Sequence, residues 1–199
     1  MREEIIHGED KAIKNNGIYI KLKSLTSRYV SVMRESISEH SSDGFPISLS
    51  TQLVQLLNVW DFHIDGYKIF PILDISEVTC EETEQFFHKI MEQEGGINPV
   101  SILTPSTLEN WQALFNFFYD NKQIIVVEDE HNGTFLIGKV IKIEEERMLM
   151  SPVDALGVWD EESKPIEYCS ITSVSYGDKY SEMLIKYAIN HNEEYLDTK

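Results

Sequence analysis

The sequence predicts an α+β chain, mainly β, built as two tandem small antiparallel units that each end in an amphipathic helix. Three observations predict it. Residues 57–91 return in outline as residues 156–188: Asn58-Val59-Trp60-Asp61 reappears as Gly157-Val158-Trp159-Asp160, and Asp74-Ile75-Ser76-Glu77-Val78 as Ser170-Ile171-Thr172-Ser173-Val174. Thr83, Phe86, Phe87, Ile90 and Met91 then fall on one helix face, and Tyr180, Met183, Leu184, Tyr187 and Ala188 repeat that spacing. A repeat of about half the length of a 199-residue chain suits two small domains better than one.

In chain order, residues 1–16 carry weak helical character at Ile5, Ile6 and Ile13, interrupted by Gly8. Ile18–Lys23 and Tyr29–Arg34 alternate apolar and polar residues and read as strands. A serine-rich loop follows over 36–45, then a short strand over 46–50 and a segment over 51–57 that fits helix or strand. Residues 59–64 and 67–73 flank Asp65-Gly66 and read as a hairpin. In the second copy that hairpin turns at Glu162-Ser163-Lys164-Pro165. Capping patterns at Thr79–Glu82 and Ser175–Asp178 start the two closing helices.

Residues 93–105, with Gly95-Gly96, Pro99 and Pro105, form a linker between a first domain at 1–92 and a second at 106–199. The second domain opens with Ser106-Thr107-Leu108-Glu109 as a capping box and a helix to about Tyr119. Strands follow at 123–128, 134–143 and 148–150, and the tail beyond His191 is polar.

This helix, five short strands and helix, with Gly138 placed to bend the second strand, resembles the small β-barrel of the Sm-like family. The resemblance covers residues 106–176 best and 17–78 more loosely, so it implies two tandem Sm/SH3-like barrels. The apolar frame of the family's first signature is present at Gly138, Val140 and Ile143. Glu144 and Met148 stand where the family has Asp and Asn, and Glu167-Tyr168 where it has Arg-Gly. In the family those residues help hold a nucleotide, so their absence implies that RNA binding is lost.

Charge points the same way. With 34 acidic and 17 basic residues the net charge is −17, which repels phosphate backbones and anionic membranes and favours a basic protein partner. No apolar run reaches the roughly 18 residues of a membrane span, and Met1-Arg2-Glu3-Glu4 lacks the pattern of a secretory signal, so a cytoplasmic location is expected. Cys80 and Cys169 read as free thiols.

Acidic clusters stand at Glu128-Asp129-Glu130, at Glu144, Glu145 and Glu146, and at Asp160, Glu161 and Glu162. In a simple meander the last two would share one end of the second barrel, giving a negative rim that binds the partner. The plain alternative is solvated turns. Histidines 7, 40, 63, 88, 131 and 191 form no metal-ligand spacing, and no nucleophile elbow, phosphate loop or dinucleotide fingerprint occurs. Neither a catalytic residue nor a cofactor is therefore assigned. Trp60 and Trp159 read as core anchors of their sheets.

These observations favour a non-enzymatic acidic module, of immunity or inhibitor type, for a basic protein. A divergent Sm-like nucleic-acid or small-ligand binder is the alternative, and an enzyme using dispersed carboxylates the third.

Overall fold

A computed structural model describes residues 15–95, 97 and 102–188. The expected helical character of residues 1–14, linker positions 96 and 98–101, and the tail beyond His191 lie outside them. The chain is mixed α+β and mainly β. Among the described residues, no helix is long and apolar enough to cross a membrane. It divides into two compact units, Met1–Asn110 and Trp111–Lys199.

Unit 1 runs α1 (residues 15–24), β1 (Val30–Met33), β2 (Ser42–Leu49), β3 (Leu53–Trp60), β4 (His63–Pro71), a 3-10 turn (Ile72–Asp74), β5 (Glu77–Thr79) and α2 (Glu82–Gln93). Its strands lie in the order β5-β1-β2-β3-β4, antiparallel throughout. Unit 2 runs α3 (Trp111–Asp120), β6 (Ile124–Asp129), β7 (Thr134–Ile143), β8 (Arg147–Val153), β9 (Lys164–Glu167), a 3-10 turn (Tyr168–Ser170), β10 (Ser173–Tyr176) and α4 (Lys179–Lys186). Its order is β10-β6-β7-β8-β9, again antiparallel. The two units therefore share one sequence of elements and one set of strand neighbours.

The likeness extends to irregularities that topology alone does not require. Gly44 of β2 and Gly138 of β7 both lie against a backbone carbonyl of the next strand. A methyl group would overlap Leu57 O in one unit and Ser151 O in the other, so only glycine lets the strands approach this closely. Three residues further on, each strand carries a register shift, between Pro46 and Ser48 in β2 and between Val140 and Lys142 in β7. Such bulges bend a strand and increase its twist. Ser27 and Lys122, which precede β1 and β6, both adopt positive φ, at 62° and 52°.

Entry to the last strand is fixed in the same way twice. Pro71 and Glu167 lead into the 3-10 turns in extended conformation, and Ile75 and Ile171 leave them with φ −76°, ψ 121° and φ −77°, ψ 118°. The next residue carries a hydroxyl. Ser76 Oγ donates to Met33 O at 3.0 Å and accepts from Glu35 N at 3.2 Å. Thr172 Oγ1 donates to Glu128 O at 3.0 Å and accepts from Glu130 N at 3.0 Å. Each hydroxyl clips the end of the unit's first strand to the start of its last.

Several sequence expectations need correction. Residues 18–23 are helical rather than extended. Ile18, Tyr19, Leu22 and Leu25 also satisfy helical spacing, and Leu22 is fully buried in a core with Val30, Val54, Phe70 and Ile75 while Ile20 faces solvent. The hairpin turns at Asp61-Phe62, with Trp60 paired to His63, and not at Asp65-Gly66. Both turn residues have positive φ, 46° and 62°, as a tight two-residue hairpin requires, and Gly66 instead sits opposite a register shift.

In unit 2, β9 already begins at Lys164. The connection before it is held by Asp154, whose Oδ1 accepts from Leu156 N and Val158 N, both at 2.9 Å. Residues 106–109 do not begin α3. Leu108 is buried in unit 1, where Ser50 Oγ donates to its carbonyl at 2.6 Å, and the helix starts at Trp111.

Both closing helices begin later than expected. Glu81 is the N-cap of α2, in a capping box with Glu84, and Asp178 caps α4 by accepting from Ser181 N at 2.7 Å. Their apolar stripes are covered only in part: Met91 is buried, but Phe86, Tyr180, Met183 and Tyr187 are exposed. The strongest helix–sheet packing in unit 2 comes from α3, which buries Leu114, Phe115 and Phe118 completely, each contributing about 1.5–3 kcal/mol.

Candidate functional site

The sequence-predicted rim splits. Glu144, Glu145 and Glu146 lie in the β7–β8 turn, whereas Asp160, Glu161 and Glu162 lie in the β8–β9 connection, at the opposite end of β8. The seven residues of β8 separate them by roughly 20 Å at a strand rise of about 3.3 Å per residue. The expected shared end is therefore wrong. Residues 158–161 form an isolated bridge, Trp159 to Val153, instead of the expected strand, so one strand and not two separates the clusters. The cluster that shares an end of the meander with 160–162 is Glu128-Asp129-Glu130, at the β6–β7 turn.

Nor are the acids a bare negative surface. Glu144 pairs with Lys142 Nζ and Arg147 Nε, each at 2.6 Å. Those two bonds hold its carboxyl well below the usual carboxylate range, at about 2. Arg147 also reaches Glu167 at 3.8 Å. Tyr168 Oη donates to the Glu144 carbonyl at 3.1 Å; burial, and then the nearby Glu144 charge, push its phenol up to about 12. Asp160 pairs with Lys164 at 2.9 Å. Glu145, Glu146 and Glu162 are exposed.

Trp60 and Trp159 were both expected in cores, and the structure separates them. Trp159 is half-buried beside Val126, Ile137 and Val153, with Lys139 Nζ 4.5 Å from its ring centre. Trp60 is 72% exposed at the tip of the β3–β4 hairpin. Beside it Phe62, 47% exposed, packs edge-on to Phe87 of α2 at 5.1 Å, and Phe86 is 60% exposed on the same helix. Unit 1 thus presents an aromatic surface at a hairpin tip whose turn residues are both left-handed. For non-glycine residues that conformation is costly, and it is concentrated at functional positions. The sequence carried a signal for it in Trp60-Asp61-Phe62, but only if the turn is placed correctly.

A second feature lies in unit 2, a recess of about 380 Å3 between the end of β6, the start of β7 and β9. Apolar walls come from Val127, Leu136, Ile166 and Ile171, and carboxylates from Glu128, Asp129 and Glu167. Ser173 Oγ hydrogen-bonds Glu128, and Asp129 accepts from Asn132 N at 3.2 Å and from Asn132 Nδ2 at 2.7 Å.

In unit 1, His88 borders two recesses with Arg28 and Glu92. Tyr29 N donates to His88 Nδ1 at 3.3 Å, and His88 Nε2 faces Glu92 at 3.3 Å, so both ring nitrogens are engaged and the imidazole is a structural link. Among the described residues, no group of three or more His, Cys, Asp or Glu side chains is placed to hold a metal ion. Cys80 and Cys169 are free thiols.

Comparison of the chain with protein-family models, with curated proteins and with solved structures yields no match.

Proposed function

We propose that this chain is a non-enzymatic binding protein made of two copies of an Sm-like barrel unit, and that it engages a basic protein. The paired glycines, bulges, 3-10 turns and hydroxyl clips support descent from one duplicated unit. The proposed Sm-like affinity rests on the order helix, five strands, helix, on the strand neighbours, and on the strand-two glycine. The altered signature positions support loss of nucleotide binding: Glu144 is tied up by Lys142 and Arg147, and Met148 is fully buried.

One observation carries the protein-partner reading. An exposed aromatic cluster, Trp60, Phe62 and Phe86, stands on a chain of net charge −17. Aromatic anchors dominate protein interfaces, and a surrounding negative field steers a basic partner while rejecting polyanions. An inhibitor or immunity-type role in the cytoplasm, where Cys80 and Cys169 stay reduced, fits that combination.

Affinity capture from the native cell tests it, using the wild type, Trp60→Ala and Phe62→Gly. The glycine change relieves the left-handed backbone, about 1–2 kcal/mol, against loss of the Phe87 edge contact, about 0.5–1.5 kcal/mol, so the fold survives. Basic proteins retained by the wild type and lost by both variants support the reading. Undiminished recovery by the variants, or salt-sensitive RNA retention by the wild type, overturns it.

A further inference from the structure

The recess of unit 2 has a counterpart in unit 1, and there it is filled by the protein itself. The hydroxyl clips fix the correspondence. Ser76 bonds Met33 and Glu35, and Thr172 bonds Glu128 and Glu130, so the residue bracketed is Arg34 in one unit and Asp129 in the other. Both follow two inward-facing residues of the same strand at alternate positions, Val30 and Val32 before Arg34, Ile125 and Val127 before Asp129. Across the unit the matching β4 and β9 residues are Phe70 and Ile166. Phe70 pairs with Val54 and Ile166 with Met148, and each stands two places before its 3-10 turn.

In unit 1 the Arg34 guanidinium lies over the Phe70 ring at 4.9 Å, and the residue is only 2% exposed. An arginine is thus accommodated within the unit. In unit 2 the shorter Asp129 and the smaller, half-buried Ile166 replace the pair, and the space opens as the 380 Å3 recess. Three carboxylates line it, Glu128, Asp129 and Glu167. The one cation in its lining, Lys164, is engaged by Asp160. Arg147, outside the lining, reaches Glu167 at 3.8 Å, and Asn132 bonds Asp129, which leaves lone pairs on both carboxylates for a further donor. The size falls in the range of small-ligand sites. Apolar walls suit the methylene stem of a long side chain, and planar carboxylates suit a guanidinium.

We infer that this recess receives an arginine side chain of the basic partner, so that unit 2 takes from another protein the group that Arg34 supplies to unit 1 from within. The inference rests on the proposed basic-partner function and gives that partner its anchoring residue. Ile166 supplies the apolar wall for the stem, and the carboxylates of Asp129 and Glu167 accept from the guanidinium.

A titration followed by amide NMR tests it with defined probes: acetyl-Gly-Arg-Gly-amide, the same peptide with citrulline, and a lysine-glycine dodecapeptide. The expected result is that the arginine peptide shifts the amides of Val127, Asp129, Ile166 and Ile171. Citrulline, which keeps shape and loses charge, should bind about ten-fold more weakly or worse. Asp129→Asn should weaken the arginine response, and the double change Asp129→Arg with Ile166→Phe, which rebuilds the filled arrangement of unit 1, should abolish it.

An equal response to citrulline, shifts spread evenly over the acidic turns, or full binding by the double variant would overturn the recess assignment. If the lysine dodecapeptide still binds in that case, the basic-partner reading stands without it. If neither cationic peptide binds, both fail.

Discussion

Removing the hydroxyl of Thr172 tests the clip that brackets the recess. Thr172→Val keeps volume and deletes the bond to Glu128 O and the acceptor for Glu130 N. The Glu128 carbonyl keeps the Thr172 N–H, at 2.9 Å, so the loss falls mainly on the Glu130 amide. Thr172 is 4% exposed, and water does not readily replace the lost partner. At about 1 kcal/mol per bond, and more for a buried group left short, the change costs about 2 kcal/mol.

Ser76→Ala removes the matching pair in unit 1, but Ser76 is half-buried and water can substitute, so about 1 kcal/mol is expected. Urea unfolding followed by circular dichroism and by tryptophan fluorescence reads both. With a slope of roughly 2 kcal/mol per molar urea, Thr172→Val lowers the midpoint by about 1 M, and Ser76→Ala by about half that. A Thr172→Val shift inside the ±0.5 kcal/mol usual for surface changes would show that the clip contributes nothing, and the reasoning from paired hydroxyls would fall.

Two further outcomes follow from the same geometry. Gly138→Ala and Gly44→Ala each force a methyl into the carbonyl of the neighbouring strand; each should destabilise by about 1–3 kcal/mol or more, and an unchanged thermal midpoint at either position would refute the close approach. Burial first, then the charges of Asp43 and Glu84, push the Tyr29 phenol up to about 12, as burial does for Tyr168. Because the folded values exceed the ordinary 10, both tyrosines contribute stability that is fully present below pH 10 and is lost as pH rises toward 12. Ultraviolet titration of tyrosinate should show a late-ionising class that disappears in Tyr29→Phe with Tyr168→Phe; identical curves would refute it.

Local pattern read much of this chain correctly. Residues 74–78 and 170–174 recur because the 3-10 exit, the hydroxyl clip and the buried Val78 and Val174 impose the same residue types on both units. The Asn58–Asp61 and Gly157–Asp160 likeness misled, since Trp60 ends a hairpin and Trp159 lies in a loop. A four-residue match cannot report burial. Ile18–Lys23 failed because six residues fit both the strand and helix periods, and packing of Leu22 decided between them. The acidic rim failed because the number of strands between two turns decides whether they share an end, and residues 158–161 do not form the strand expected of them.

The sequence by itself determined the α+β character, the negative charge and the repeated strand-and-helix punctuation, all of which depend on residues close in the chain. Tertiary structure alone decided that Arg34 and Asp129 hold equivalent places, one buried on Phe70 and the other in the lining of a recess. Those residues lie far from Phe70 and Ile166 in sequence, and only strand pairing brings each to its partner.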